Sequence, residues 1–203
     1  MARLILASSS IYRRELLERL RIPFITESPN IDETPLLEES PLQIAQRLAQ
    51  EKALAVAVAH RAPIQETLVI GSDQVIDLDG QALGKPQTHE EAVGQLRQMR
   101  GRQLWVYTAV AVVRCSDLQL QTALSSVSVS LRDYSDKEIE TYLHLDKPYD
   151  CAGAIKSESL GIALIERIDS HDPTALIGLP LTDTLRLLRC FGVDVLSMAQ
   201  AQS

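Results

Sequence analysis

A carboxylate and an amide interrupt an otherwise apolar segment of the chain. In ETLVIGSDQVIDLDGQALGKP, residues 66–86, the apolar residues on either side have the pattern of a buried strand, and Asp73 and Gln74 lie between them. Burying an ionised carboxylate is costly unless a cation pairs with it or a reaction uses it. Asp73 is therefore the first candidate for a catalytic group.

The Asp79-Gly80 pair that follows is the strongest β-hairpin signal in the chain. A two-residue turn there would place Gln74 opposite Lys85 and put Asp73 one step from that lysine. The sequence thus predicts a carboxylate, an amide and an ammonium group together at the ends of two paired strands. A structural ion pair is the alternative, but such a pair adds little net stability over apolar residues, which favours a functional site.

Three further segments hold polar side chains that could bind an anion or a metal. Arg13 and Arg14 lie in a first helical turn after a serine-rich segment, where the helix dipole disfavours cations unless an anion is bound nearby. Taken alone, these two arginines are better interpreted as residues of a solvated helix surface. Asp32-Glu33 reads as a solvated acidic turn, and Lys52, beside a long apolar face, is expected to extend its ammonium group to water.

Cysteine and histidine chemistry has little support in the sequence. The three cysteines, Cys115, Cys151 and Cys190, are widely separated without a CxxC pair, and the four histidines show no ligand spacing. This pattern indicates neither a disulfide framework nor a zinc site and fits a reducing compartment. A cysteine hydrolase using Cys151 stays open as an alternative, although a small buried side chain is the favoured interpretation.

Strands and helices alternate along the chain, which predicts an α/β or mixed α+β sheet flanked by helices. Capping residues indicate helix starts at Ser40, at Thr88 with Glu91, and at Ser135 with Glu138. The apolar pattern predicts long strands over residues 103–114 and 118–132, a shorter strand over 162–168, and a last helix from near Pro180.

The composition is that of a soluble globular protein, and we expect one domain over residues 1–203. Hydrophobic residues make up 45% and charged residues 23% of the 203 positions. The net charge of −7 argues against a broad nucleic-acid surface, so a few local cations must hold any anionic ligand. No stretch approaches the ~18 apolar residues that span a bilayer. A cytoplasmic protein without nucleic-acid or membrane partners is expected.

Several motifs, taken in order, resemble those of the Maf family of nucleotide pyrophosphatases. They span nearly the whole chain and are LILASSSIYRRELL, PNIDET, AQEKA, GSDQVIDLDGQALGKP, the Tyr107-Thr108 step, CAGAIKSESLG and DPTALIGLPL. The resemblance implies a highly twisted mixed sheet flanked by helices, with a cleft between two lobes, related to the inosine-triphosphate pyrophosphatases. It also implies hydrolysis of a nucleoside triphosphate between the α and β phosphorus atoms, giving a monophosphate and pyrophosphate.

The resemblance further implies roles for individual residues. Asp73 matches the proton acceptor for water, and Glu33 lies with Asp73 beside a divalent metal such as Mg²⁺, Mn²⁺ or Co²⁺. The residues that match phosphate-binding positions are Ser8, Arg13, Lys52 and Lys85. These types suit the chemistry, because the triphosphate charge must be neutralised while the attacking and leaving oxygens align. A homodimer is implied as well.

Three positions resemble the branch of the family that acts on 7-methyl-GTP, namely Tyr12, Gln74 and Glu158. Methylation at N7 gives guanine a positive ring that favours an aromatic face, and a carboxylate can accept from the guanine N1–H and amino group. The branch that acts on dTTP and UTP has Thr where Gln74 stands, whereas the 7-methyl-GTP branch often has Trp where Tyr12 stands. A dTTP/UTP pyrophosphatase, or a nucleotide-binding regulator of septum formation with incidental hydrolysis, are the alternatives.

Overall fold

The computed structural model describes residues 2–61 and 66–201. Its strands are β1 (Arg3–Ala7), β2 (Ile25–Glu27), β3 (Thr67–Leu78), β4 (Gln81–Leu83), β5 (Gln103–Arg114), β6 (Leu120–Leu131) and β7 (Ile165–Asp169). Its helices are α1 (Ile11–Glu18), α2 (Pro41–Ala59), α3 (His89–Met99), α4 (Asp136–Asp146), α5 (Leu181–Cys190) and α6 (Val195–Gln200). Within the described ranges, no helix is long and apolar enough to cross a membrane.

The strands form one seven-stranded mixed sheet in the order β2-β1-β3-β5-β6-β7, with β4 also paired to β3. β1 runs parallel to both β2 and β3, and the remaining pairs are antiparallel. Helices flank this sheet. The predicted mixed α/β class is confirmed.

β3 changes its strand neighbour part-way along one edge. Its residues 67–71 pair with β1 and its residues 76–78 pair with β4, whereas residues 68–77 pair with β5 along the other edge. In the part of the chain that the structure describes, residues 72–75 therefore have a strand on one side only. The sheet edge opens at this point, and Asp73 and Gln74 lie in the opening.

Three clusters of buried apolar side chains cover the sheet. One joins α2 to β1, β3 and β5, and includes Ile5, Ala49 and Val69. A second joins α1, α5 and α6 to strand segments that include Leu68 and Val112. The third packs α3 and α4 against the ends of β3, β5 and β6 beyond the opening, including Ile76, Leu96 and Tyr134. The opening in β3 thus lies where the packing of the sheet passes from the first two clusters to the third.

The predicted hairpin turn is confirmed. Leu78 pairs with Gln81 across a two-residue turn, and Asp79 and Gly80 both have positive φ, 55° and 83°. That backbone geometry is the one for which Asp-Gly is favoured. The turn involves only four consecutive residues, so the sequence could predict it without knowledge of the rest of the fold.

Helix caps are confirmed at all three predicted places, and one of the two predicted capping boxes is complete. Ser40 and Ser135 form reciprocal capping boxes with the third residue of their helices. Thr88 accepts from the Glu91 N–H, but the Glu91 carboxylate accepts from the Gln87 N–H instead, so the predicted box there is only half formed. The three helices nevertheless begin where the sequence places them.

One predicted boundary near the end of the chain is wrong, and one helix there was not predicted. β7 begins at Ile165 rather than at residue 162, because Leu160–Leu164 forms a 3-10 turn. A further helix, α6, follows α5, with Asp194 accepting from the Leu196 N–H at its start. Its single turn and a half is too short to produce a helical apolar period in the sequence.

Candidate active site

A glycine lets α2 approach β3 closely. A Cβ atom at Gly71 would lie 2.4 Å from the Ala49 carbonyl oxygen and 2.6 Å from the Ala53 nitrogen. Strand and helix therefore meet backbone to backbone. Asp73 lies two residues along β3 on the same face, and this contact brings Lys52 of α2 against it.

Lys52 lies between two carboxylates. Its Nζ is 2.6 Å from Asp73 Oδ1 and 3.0 Å from Glu33 Oε1. Lys52 and Asp73 are only 5% and 6% exposed, whereas Glu33 is exposed. The expectation that Lys52 reaches water is wrong, because the buried carboxylate of Asp73 gives its ammonium group a partner inside the protein.

Asp73 is more basic than an ordinary aspartate. Burial raises its pKa, and the charges of Lys52 and Arg13 oppose that shift without cancelling it. Its second oxygen, Oδ2, accepts no hydrogen bond from the residues that the structure describes. A carboxylate with a raised pKa and a free oxygen in a cleft has the properties of a proton acceptor.

Lys85 does not partner Asp73 as the hairpin register predicts. The pairing of β3 with β4 ends at Ile76 and Leu83, so the ladder does not extend to Gln74 and Lys85. Asp73 and Gln74 also point to opposite faces of β3, as neighbours in a strand must. Lys85 instead lines the same cleft as Asp73 without an ion pair to it.

The start of α1 holds Arg13 at the cleft. Ser10 caps the helix by accepting from the Arg13 N–H, and Ser8 accepts from the Ser10 N–H. Arg13 Nε donates to the Gly178 carbonyl oxygen at 2.8 Å. Burial lowers the pKa of Arg13, and the charges of Asp73 and Glu33 oppose this. Arg14 is exposed and pairs with Glu18. The solvated-surface interpretation is therefore right for Arg14 and wrong for Arg13.

The amide of Gln74 is fixed on the opposite face of the sheet. Its Nε2 lies 3.0 Å from each of Thr108 Oγ1, the Ala175 carbonyl oxygen and the Leu176 carbonyl oxygen. The Thr108 hydroxyl in turn donates to Ala175 at 2.9 Å, so it can only accept from Gln74. Both amide N–H bonds are committed to the protein, and Oε1 is left to accept from a ligand.

A buried carboxylate holds the loop that supplies these carbonyl groups. Asp172 accepts from the Thr174 N–H and the Thr182 N–H, each at 2.7 Å, and is fully buried. Burial would raise the pKa of Asp172, but the hydrogen bonds from Thr174 and Thr182 keep it below its ordinary value. Sequence reasoning treated this segment as one motif and missed Asp172. The Asp-Pro-Thr run, typical of a turn closed by its aspartate, was the available signal.

The predicted site residues surround two adjoining cavities. The larger has a volume of about 950 Å³ and is lined by residues that include Ser8, Glu33, Lys52 and Asp73. The smaller, about 130 Å³, has apolar walls and includes Glu158. Four predicted residues line both cavities: Tyr12, Arg13, Gln74 and Lys85. The structure brings every predicted site residue together, while their individual roles stay predictions.

The Maf-like protein family matches residues 3–191 of the chain. The chain belongs to the Maf family. The 7-methyl-GTP pyrophosphatase of Albidiferax ferrireducens is 54% identical over 194 residues, covering 96% of each chain. That of Methylobacillus flagellatus is 50% identical over 196 residues, covering 97% of this chain and 100% of the relative.

Among solved structures, the Staphylococcus aureus Ham1 protein aligns with 13% identity and a TM-score of 0.40, covering 64% of this chain and 72% of that one. A nucleoside-triphosphatase, dITP/XTP pyrophosphatase, from Mycobacterium abscessus aligns with 14% identity and a TM-score of 0.36, covering 64% and 73%. Both are too distant to inform the site of this Maf protein.

Cys151 lies beside Tyr12 and Asp150. It is half-buried, where the favoured interpretation was a buried side chain, and its Sγ is 3.8 Å from the Tyr12 hydroxyl oxygen and 3.6 Å from Asp150 Oδ1. Burial, with the charge of Asp150, raises the pKa of the Cys151 thiol to about 12. The side chain is therefore a thiol at neutral pH, whereas a nucleophile must be a thiolate.

We expect the Cys151→Ala variant of this Maf protein to retain pyrophosphate release within about a factor of two of the unchanged chain, because a thiol that stays protonated at neutral pH contributes no covalent step. The measurement is initial rate at saturating substrate. A loss of two orders of magnitude would instead restore the cysteine hydrolase alternative.

The donor atoms fit a metal that arrives with a phosphorylated ligand. The described residues contain no group of three or more His, Cys, Asp or Glu that could hold a metal by themselves. The carboxylates of Asp73 and Glu33 nevertheless lie on either side of Lys52 Nζ, close enough to each other to share one cation. The second oxygen of Asp73 is also free to bind a ligand. Mg²⁺ commonly binds through one or two carboxylates, with phosphate and water supplying its other ligands.

Proposed function

We propose that this Maf-family protein is a nucleoside triphosphate pyrophosphatase that hydrolyses 7-methyl-GTP to 7-methyl-GMP and pyrophosphate. The proposal depends mainly on one observation: two cavities with different linings adjoin each other. One holds a buried carboxylate among cations, and the other is a small apolar pocket that presents hydrogen-bond acceptors. The names of the relatives, 7-methyl-GTP pyrophosphatases at 50–54% identity, support the same substrate.

In the larger cleft, the chain supplies a proton acceptor and phosphate ligands. Water attacks the α phosphorus, its proton passes to Asp73, and the bond to the bridging oxygen breaks so that pyrophosphate leaves. Arg13, Lys52 and Lys85 neutralise the triphosphate, and the start of α1 beside Ser8 offers the backbone N–H groups that its capping hydrogen bonds leave free. These three cations are enough to bind a triphosphate although the protein is acidic overall, because all three line one cleft.

Asp73 and Glu33 are the residues that would hold a divalent metal together with phosphate oxygens. When bound, the metal supplies charge neutralisation to the triphosphate. Mg²⁺, Mn²⁺ and Co²⁺ all accept such oxygen ligands, so the ion that supports fastest turnover is a matter for measurement. Before substrate binds, Lys52 holds these two carboxylates in place by pairing with both.

In the smaller cavity, the acceptors match the donors of guanine. Gln74 Oε1 and the Glu158 carboxylate can accept from the N1–H and the 2-amino group, while the ring of Tyr12 offers a stacking face. Thymine and uracil carry one N–H on that edge and would leave one acceptor unmatched. This geometry favours the 7-methyl-GTP proposal over the dTTP/UTP alternative.

Glu158→Ala is expected to broaden base choice more than Tyr12→Ala. Stacking tolerates many bases, whereas a site built on hydrogen bonds can reject analogues that lack them by ~10⁴–10⁵. The measurement is kcat/KM for 7-methyl-GTP, GTP, dTTP and UTP with each variant. Equal selectivity profiles for the two variants would contradict the assignment.

The proposed function is tested by assaying 7-methyl-GTP and the ordinary triphosphates with Mg²⁺, Mn²⁺ and Co²⁺, while measuring pyrophosphate and orthophosphate separately. We expect pyrophosphate as the first product and the highest kcat/KM for 7-methyl-GTP. Orthophosphate as first product would mean that another bond is cleaved. Tight nucleotide binding without any product would favour the regulator alternative instead.

The family resemblance also supports a single-domain protein over residues 1–203 that forms a cytoplasmic homodimer and uses neither nucleic acid nor membrane as a partner. Light scattering on the purified protein measures its mass directly. A mass of one chain at micromolar concentration would exclude the homodimer.

A further inference from the structure

The two joined cavities share two cations and one carboxylate. Lys52 lines only the larger cleft and Glu158 only the smaller one, while Asp150 lies where the two meet. Arg13 and Lys85 line both cavities, and the carboxylates of Asp150 and Glu158 lie with them in the smaller one. A cationic base in that pocket would meet two carboxylates, whereas a neutral base gains no charge pairing from them.

Asp150 contacts the aromatic ring proposed to receive the base. Its Oδ2 accepts a hydrogen bond from the Tyr12 hydroxyl at 3.1 Å. Tyr12 keeps its proton, because burial, reinforced by Cys151 and Asp150, raises its pKa. A phenol that donates to a carboxylate is polarised by it, and its ring then attracts a cation more strongly.

A cation of the chain already engages both groups. Lys156 Nζ lies 5.9 Å from the Tyr12 ring centroid and 3.4 Å from Asp150 Oδ1. Its side chain is 17% exposed, against 59% for that of Asp150, and it does not line either cavity. Asp150 therefore faces the ligand space while Lys156 compensates part of its charge from within the protein.

Asp150 is ionised at neutral pH. Burial would raise its pKa, but the charge of Lys156 and the hydrogen bond from Tyr12 outweigh burial and hold it below the ordinary value. Its carboxylate accepts from Tyr12 with one oxygen and lies beside Lys156 with the other. The Tyr12 ring thus has one fixed anion and one fixed cation within reach.

We propose that Asp150 and Lys156 set the charge preference for the base at Tyr12, with Asp150 attracting a cationic base and Lys156 limiting that attraction. The inference rests on the proposed function, because it concerns the base of the same substrate. It separates two features of 7-methylguanine: Asp150 recognises the positive charge of the ring and not the methyl group. Removing Asp150 then lowers the preference for a charged base, and removing Lys156 raises it.

The test compares 7-methyl-GTP with 7-methyl-7-deaza-GTP, in which carbon replaces N7, so that the methyl group is kept and the positive charge is lost. The charge preference is the ratio of the two kcat/KM values. For Asp150→Asn we expect this ratio to fall about five- to tenfold, and for Lys156→Gln to rise about threefold. Both changes should shrink at high salt, because Asp150 is largely exposed.

Asp117→Asn is the matched control, since it removes the same charge from a turn where Asp117 pairs with Arg114, outside both cavities. We expect its ratio to equal that of the unchanged chain. Thermal unfolding of each variant confirms folding, and the ratio is insensitive to the folded fraction. An Asp150→Asn ratio within twofold of the unchanged chain, or a lower ratio in Lys156→Gln, would overturn the inference. If the unchanged chain hydrolyses neither nucleotide, the proposed function fails and the inference with it.

Discussion

Replacing Asp73 by Asn should lower turnover of 7-methyl-GTP by ~10²–10⁴-fold, the usual contribution of a positioned general base. The substitution keeps the shape of the side chain and removes its ability to take a proton from water. It also weakens any metal bound through the Asp73 oxygens. The measurement is kcat from initial rates of pyrophosphate release at saturating nucleotide and metal.

Asp77→Asn is a suitable control for this variant, because it makes the same chemical change four residues along β3 on the same face. The Asp77 carboxylate accepts from the Gly80 N–H in the hairpin turn and lies outside the cleft lining. Its turnover should stay within about a factor of two of the unchanged chain, because Asp77 lines neither cavity of the site. Near-normal turnover in Asp73→Asn would remove that residue from the chemistry.

Local signals account for much of what the sequence predicted. The Asp79-Gly80 turn, the Ser40 and Ser135 caps and the two long strands each depend on neighbours within a few positions, and the structure has all of them. The resemblance to the Maf family extended this to residues scattered over the chain. It selected the residues that meet at the opening in β3 without indicating how they contact one another.

The contacts within the site were not predictable, because they depend on packing between distant segments. Lys52 reaches Asp73 across 21 positions only because Gly71 lets helix and strand touch. Gln74 is fixed by a loop more than 100 positions away, and Tyr12 meets Asp150 across 138 positions. Counting along the hairpin instead assigned Lys85 to Asp73, since register arithmetic carries no information about where a strand ends.

Replacing Lys52 by Met should both abolish most turnover and destabilise the fold. Breaking a buried ion pair by removing one partner costs about 3–5 kcal/mol of unfolding free energy, because the remaining charge is left without compensation. The pKa of Asp73 is already raised by burial, and loss of the neighbouring ammonium group would raise it further. A protonated Asp73 cannot accept the proton of water. Urea unfolding measures the first effect and pyrophosphate release the second.

The two members of this pair should differ in what their removal costs. When Asp73 becomes Asn, Lys52 still has Glu33 at 3.0 Å, on the exposed side of the cleft. When Lys52 becomes Met, Asp73 has no other cation in salt-bridge contact among the described residues, since Arg13 acts on it only through its field. Lys52→Met should therefore lower stability more than Asp73→Asn, and the double variant should recover stability over Lys52→Met without recovering turnover. Equal losses in the two single variants would mean that Asp73 does not depend on Lys52 for its charge.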